Sequence, residues 1–119
     1  MTKHFDEPFL KHILDAIQDI NESINIISKE EFLRNKDIRE ANIRRIEVIG
    51  EAVKNISKEF RDKHKEIEWS KIAGARDKII HKYFEIDFDI VWEIIKNDLP
   101  KLKRDIEKIL NSINKEEEK

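Results

Sequence analysis

The sequence predicts an all-α protein, an antiparallel bundle of four to five helices, and three observations predict it. Apolar residues recur at helical spacing through four long segments, so each segment carries a stripe that must be buried against the others. Two glycines, Gly50 and Gly74, and two prolines, Pro8 and Pro100, are all the turn-forming punctuation in 119 residues, too little for a chain of hairpins and β-turns. A chain of this length has material for one hydrophobic core. Residues 1–113 are therefore expected to form a single domain, with a charged and frayed tail at 114–119.

The elements are taken in chain order. Asp6-Glu7-Pro8 offers a capping carboxylate and a proline suited to a first helical turn, after which Phe9, Ile13, Ile17, Ile20, Ile24 and Ile27 form one stripe. Ser28-Lys29-Glu30-Glu31 reads as a capping box for a short turn with Phe32 and Leu33, and Asn35 or Asp37 can cap the next helix. That second long helix runs from about Ile38 to Ile56 with Ala41, Ile46, Ile49, Val53 and Ile56 on its apolar side. Gly50 within it costs roughly 1 kcal/mol against alanine, which implies a close helix crossing. The stretch EFRDKHKEIEW, residues 59–69, is highly charged and reads as a surface connection. A third helix is expected from Trp69-Ser70 through Ile72, Ala75, Ile79 and Ile80 to about Phe84. Asp87 can cap a last helix in which Ile90, Val91, Ile94 and Ile95 lead to Leu99, Leu102, Ile106, Ile109 and Ile113, with a kink or restart at Pro100.

Charge narrows the function classes. Charged residues make up 42% of the chain, yet 24 Lys and Arg nearly cancel 26 Asp and Glu, so the charges read as solvated helix faces. A strongly basic domain that holds nucleic acid through its overall field is excluded, and any such contact must be local. With no cysteine, disulfides and thiolate metal sites are excluded. Neither a signal-peptide h-region nor a membrane span of about twenty apolar residues is visible, which leads to the expectation of a cytoplasmic protein without membrane contact.

The residues with chemical potential lie in the third helical segment. Arg76, Asp77, His81 and Tyr83 fall within eight residues, with Lys71, Lys78 and Lys82 nearby. A guanidinium can hold a phosphate through two parallel hydrogen bonds, and an imidazole exchanges protons near neutral pH. On a continuous helix, Arg76 and Tyr83 would share a face while His81 would be turned roughly 140° from Arg76 and displaced by about 7.5 Å. One helix cannot focus all three, whereas a symmetric dimer could bring Arg76 and His81 of both copies into one cleft. By residue type and spacing alone, ordinary surface ion pairs and a half-buried tyrosine account for the same residues.

The pattern Arg76-x-x-x-x-His81-x-Tyr83, with a polar residue directly after the arginine, resembles the signature of HEPN domains. ANIRRIEVIGEAVKNIS (Ala41–Ser57), the segment Trp69–Phe84 and the segment Ile86–Leu102 are similar in order and spacing to the HepT-like branch. That resemblance implies a helical homodimer acting as a metal-independent RNA endonuclease without cofactor. It also implies a toxin whose antitoxin is an MntA-type minimal nucleotidyltransferase, which silences it by transferring AMP to the motif tyrosine. On this reading Arg76 and His81 are the catalytic pair, Asp77 supports them, Tyr83 is the modification site, and Lys71, Lys78 and Lys82 are candidates for RNA contact. The alternative is a non-catalytic HEPN subunit that binds nucleotide or substrate for an associated nucleotidyltransferase.

Other features read as structural. His4, His12 and His64 share no metal-site spacing. Glu47 and Glu51 could pair as carboxylates but are better placed for ion pairs with Arg44, Arg45 or Lys54. Trp69 and Trp92 could stack bases, though both sit on apolar helical patterns that favour core or interface.

Overall fold

The first apolar stripe forms α1 (Glu7–Ile24) and buries Leu10, Ile13, Ile17 and Ile20 completely. This computed structural model describes residues 5–81 and 85–118, with side chains described as far as residue 115. Asp6 does not cap α1 as expected. Pro8, two residues on, has no N–H to give, and the Phe9 N–H is taken by the Asp6 carbonyl at 3.2 Å. The buried Asp6 carboxylate instead accepts from the Ser57 N–H at 2.7 Å and the Ser57 hydroxyl at 2.8 Å. The Ser57 Oγ in turn accepts from the Phe60 N–H at 3.2 Å and starts α4 (Lys58–Lys63). Replacing Asp6 with alanine strands these donors, and guanidinium chloride melts should register a loss of about 1–3 kcal/mol; no measurable change would mean that Ser57 finds other partners.

Short polar residues set the next two starts. Ser28 accepts from the Glu31 N–H at 3.1 Å and opens α2 (Lys29–Arg34), which is the serine half of the expected capping box, and its hydroxyl lies 3.4 Å from the Glu31 carboxylate, to which it donates. Asn35, rather than Asp37, caps α3 (Lys36–Lys54) through the Ile38 N–H at 3.0 Å. The most extensive helix contact joins α1 and α3. Ile46, Ile49 and Val53 face that seam from α3, and the fully buried Asn42 crosses it, donating to Ser23 Oγ at 3.1 Å and accepting from Arg45 at 3.0 Å.

Two further expectations need correction. The charged stretch 59–69 is no mere surface connection, because Ile67 and Trp69 within it are buried and the Trp69 indole donates to the His64 carbonyl at 2.9 Å. Average polarity concealed Ile67, whereas Trp69 is in the core as its apolar helical pattern implied. The expected third helix is also broken. It divides into α5 (Trp69–Ala73) and α6 (Ala75–Ile79) at Gly74, and the chain then turns extended at Ile80. Ile80–His81 (β1) pairs antiparallel with Glu85–Ile86 (β2), Ile80 opposite Ile86 and His81 opposite Glu85. Adjacent β-branched residues favour the extended state, and Asp87 fixes the return: its N–H donates to the Ile79 carbonyl at 2.8 Å, while its carboxylate caps α7 (Phe88–Glu93) through the Ile90 N–H. The part of the expected helix at 82–84 lies outside the described residues.

The start of α7 is fastened to α2 and α3. The Arg39 guanidinium lies 4.2 Å over the Phe88 ring and donates to the Leu33 carbonyl, and Lys29 meets Asp89 at 3.0 Å. A hydrogen bond from Lys29 to Asp89, reinforced by that carboxylate's charge, raises the Lys29 ammonium above its ordinary pKa. Phe32 and Trp92 stack obliquely beneath, 5.1 Å apart. Pro100 is accommodated by a wide turn at Ile94–Asp98, where the Leu99 N–H reaches back five residues to the Ile94 carbonyl, before α8 (Leu99–Glu118) resumes the ordinary pitch. Leu99, Leu102, Ile106 and Ile109 close the core. Among the described residues no helix is long and apolar enough to cross a membrane.

Candidate active site

A missing side chain on α3 decides where Arg76 stands. A Cβ at Gly50 would lie 3.4 Å from the Ala73 carbonyl oxygen and 3.6 Å from that of Ile72, so the α5 backbone rests directly on α3. The helix breaks at the next residue, Gly74, whose carbonyl accepts from the Asp77 and Lys78 N–H groups as α6 begins. Arg76 is thus the second residue of a new helix, held one turn of α3 away from Gly50. Its Nε lies 3.9 Å from Glu47 Oε1, with the arginine side chain 60% exposed and the glutamate 34%.

That pair lies in an open groove together with His12, Arg44 and Lys54 and the apolar surfaces of Phe9 and Val48. Asp77, next to Arg76, is exposed in the first turn of α6. His81 is displaced from the helix altogether: its backbone ends β1, opposite Glu85. The angular and axial offsets expected of a continuous helix therefore do not hold, since the chain between Arg76 and His81 changes from helical to extended after Ile79. The His81 side chain, Lys82 and Tyr83 lie outside the described residues. Lys71 and Lys78 border a separate apolar cleft whose floor includes Ile49, Ile94 and Leu102. Lys71 faces Asp98 there at 3.8 Å. The site residues are accordingly divided, with Arg76 in one groove and the two lysines on the other.

Sequence reasoning missed Glu47 and Arg44 as neighbours of Arg76. Glu51 does pair with Lys54 at 3.3 Å as expected, but Glu47 reaches across to α6. The usable signal was Gly50: a glycine on a helix face marks where another backbone approaches, and residue 47 lies about one turn before it. Among the described residues no group of three or more His, Cys, Asp or Glu is disposed to hold a metal ion.

A family model described as "Ribonuclease HepT-like" matches residues 13–109. The chain belongs to the HepT-like family. Relatives cover nearly all of it. A "Putative RNase" of Caldanaerobacter subterraneus subsp. tengcongensis is 44% identical over 87% of this chain and 92% of its own length, and another of that name from Methanocaldococcus jannaschii is 42% identical over 99% and 98%. The "Probable ribonuclease HepT" of Thermococcus cleftensis is 42% identical over 90% and 97%. No solved structure matches the chain. The matched span of the HepT-like model includes α3, both halves of the broken helix and the paired strands, so Arg76, Glu47 and His81 all fall inside the family region.

Proposed function

We propose that this HepT-like chain is a metal-independent RNA endonuclease, the toxin of a cytoplasmic toxin–antitoxin pair, with its active site built between two copies. The observation that carries the reading is Arg76, presented in an open groove at the head of α6 with His81 five residues on at the end of β1. In the reaction, the imidazole of His81 takes the proton of a substrate 2′-hydroxyl, whose oxygen attacks the adjacent phosphorus. The bond to the 5′-oxygen breaks, that oxygen leaves with a proton, and a 2′,3′-cyclic phosphate remains. Arg76 holds the non-bridging oxygens as negative charge builds on them. To do so it leaves Glu47, an exposed and long ion pair that costs little to break. Asp77 supports the orientation of Arg76, while Lys71, Lys78 and Lys82 contact flanking phosphates.

Regulation acts through the motif tyrosine. An MntA-type nucleotidyltransferase antitoxin transfers AMP to the Tyr83 hydroxyl, with release of pyrophosphate from ATP, and the added phosphate competes with RNA for Arg76. The test has two readings. Purified protein in excess chelator should cleave RNA and leave cyclic phosphate ends, and mass spectrometry of the chain produced together with a nucleotidyltransferase partner should find AMP on Tyr83. Stable complex formation without any cleavage would replace this reading with a non-catalytic partner subunit. A fully neutralised toxin with unmodified Tyr83 would reject the tyrosine mechanism.

A further inference from the structure

An open groove between α4 and the start of α5 gathers positive charge on a chain whose formal net charge is −2. Lys58, Arg61, Lys65 and Lys71 line it, against two carboxylates, Asp62 and Glu68. Asp62 is taken by Lys58 at 3.2 Å, and Lys71 faces Asp98 at 3.8 Å. The surplus therefore rests on Arg61 and Lys65, neither of which has an ion pair or a hydrogen bond from its side chain among the described residues. Arg61 is half-buried, and its Nε is enclosed without an acceptor. Arg39 has an enclosed Nε too, but its guanidinium bonds the Leu33 carbonyl and lies over the Phe88 ring. Arg61 has no such compensation, and a guanidinium held by its stem with its charge unanswered is a ready partner for an anion.

The surroundings of the groove say which anion. Its floor is the buried Ile67 and Trp69, and the Trp69 indole N–H is spent on the His64 carbonyl. No ring face is therefore offered here on which a base could stack, and the groove can hold a strand only by its phosphates. Ile67, Glu68 and Lys71 also border the neighbouring apolar cleft, at whose edge Lys78 stands, two residues beyond Arg76. The cations thus run on without a gap toward the segment that bears Arg76. An acidic protein surface would be attracted by the same charge, but that continuity favours a polyanion that has to reach Arg76. We propose that Arg61 and Lys65 hold the RNA strand by its phosphates, at the outer end of a track that continues through Lys71 and Lys78. The proposal rests on the nuclease reading above and gives its substrate a path, one indifferent to base sequence.

A fluorescent single-stranded oligoribonucleotide with 2′-O-methyl groups lacks the attacking hydroxyl and reports binding alone. In anisotropy titrations, Arg61→Ala and Lys65→Ala should each raise its Kd about threefold or more and lower the slope of log affinity against log salt by about 0.7, equally on oligo(U) and oligo(A). Lys63→Ala removes the same charge from α4, where Lys63 pairs with Glu59 at 3.7 Å outside the groove, and should leave Kd unchanged. Glu68→Gln should tighten binding. Lys65 is exposed, so its loss leaves the fold alone; far-UV circular dichroism checks Arg61→Ala, and Arg61→Lys should recover part of the affinity. Parent-like affinity and slope in both alanine variants, an equal loss with Lys63→Ala, or a parent that does not bind the oligonucleotide overturns the track. So does a double variant that keeps RNA affinity and loses a protein partner, which would mark the groove as a dock for an acidic protein surface. A chain that cleaves RNA with the same KM in both alanine variants keeps the nuclease reading and loses the track. Variants that lose RNA affinity in a chain that cleaves nothing do the reverse.

Discussion

Arg76→Ala and His81→Ala chains are expected to cleave RNA at least 100-fold more slowly than the parent in the presence of chelator. The size reflects the roles. Removing a charge-stabilising donor from a phosphoryl or acyl transfer site costs about 10²–10³ in rate, and removing a general acid–base group about 10²–10⁴. Arg76→Lys should fall between, since an ammonium keeps the charge and loses the fork of parallel donors. Stability should barely change with Arg76→Ala: the side chain is 60% exposed and its ion pair with Glu47 spans 3.9 Å, a kind of contact worth at most about 1 kcal/mol. Initial rates on a fluorogenic RNA, with thermal melts alongside, separate the two effects. Parent-like rates in both variants would trace the cleavage to a contaminant.

The largest loss of stability is expected from Phe32→Ala, about 3–5 kcal/mol in denaturant unfolding. Phe32 is fully buried on a helix of six residues, far shorter than a helix that holds together unaided. Its ring packs 5.1 Å from Trp92, which makes it the bolt between α2 and α7. Beyond the lost burial, a cavity opens beside Trp92, and α2 is left with the partly buried Leu33, the exposed Lys29–Asp89 pair and the Arg39 contact to hold it. A loss below about 1 kcal/mol would show that the neighbouring side chains collapse into the space. Since Phe88 and Asp89 come directly after the hairpin, the same substitution should also loosen the segment that carries His81.

The helical architecture was legible because it is written in local terms. Spacing of isoleucines marked α1, α3 and α8, and the caps Ser28, Asn35 and Asp87 marked where helices begin. Gly50 correctly announced a close crossing. What escaped the sequence depends on contacts remote along the chain. The Asp6 carboxylate serves a serine 51 residues away, and Ile67 is buried from within a stretch whose average polarity is high. The break after Ile79 is subtler: apolar period and charge pattern continue smoothly through it, and the return of Asp87 to the Ile79 carbonyl decides the outcome. For the site, the motif pointed to Arg76 and its segment, but Glu47 and Arg44 became neighbours of it only through the seating of α5 on Gly50.

The wide turn at Ile94–Asp98 has a bearing on how chains of this kind can vary in length. A helix swollen by one residue keeps the same angular phase on either side as a shorter, uninterrupted one, so the surplus is absorbed where it occurs and is not passed down to Leu102, Ile106 and Ile109. Loss of a solvent-facing position such as Lys96 would tighten the coil and leave those side chains aimed inward, whereas the same excision within α8 would rotate everything beyond it by about 100°. The swelling is thus a natural indel site, and the last helix of the bundle is insulated from it.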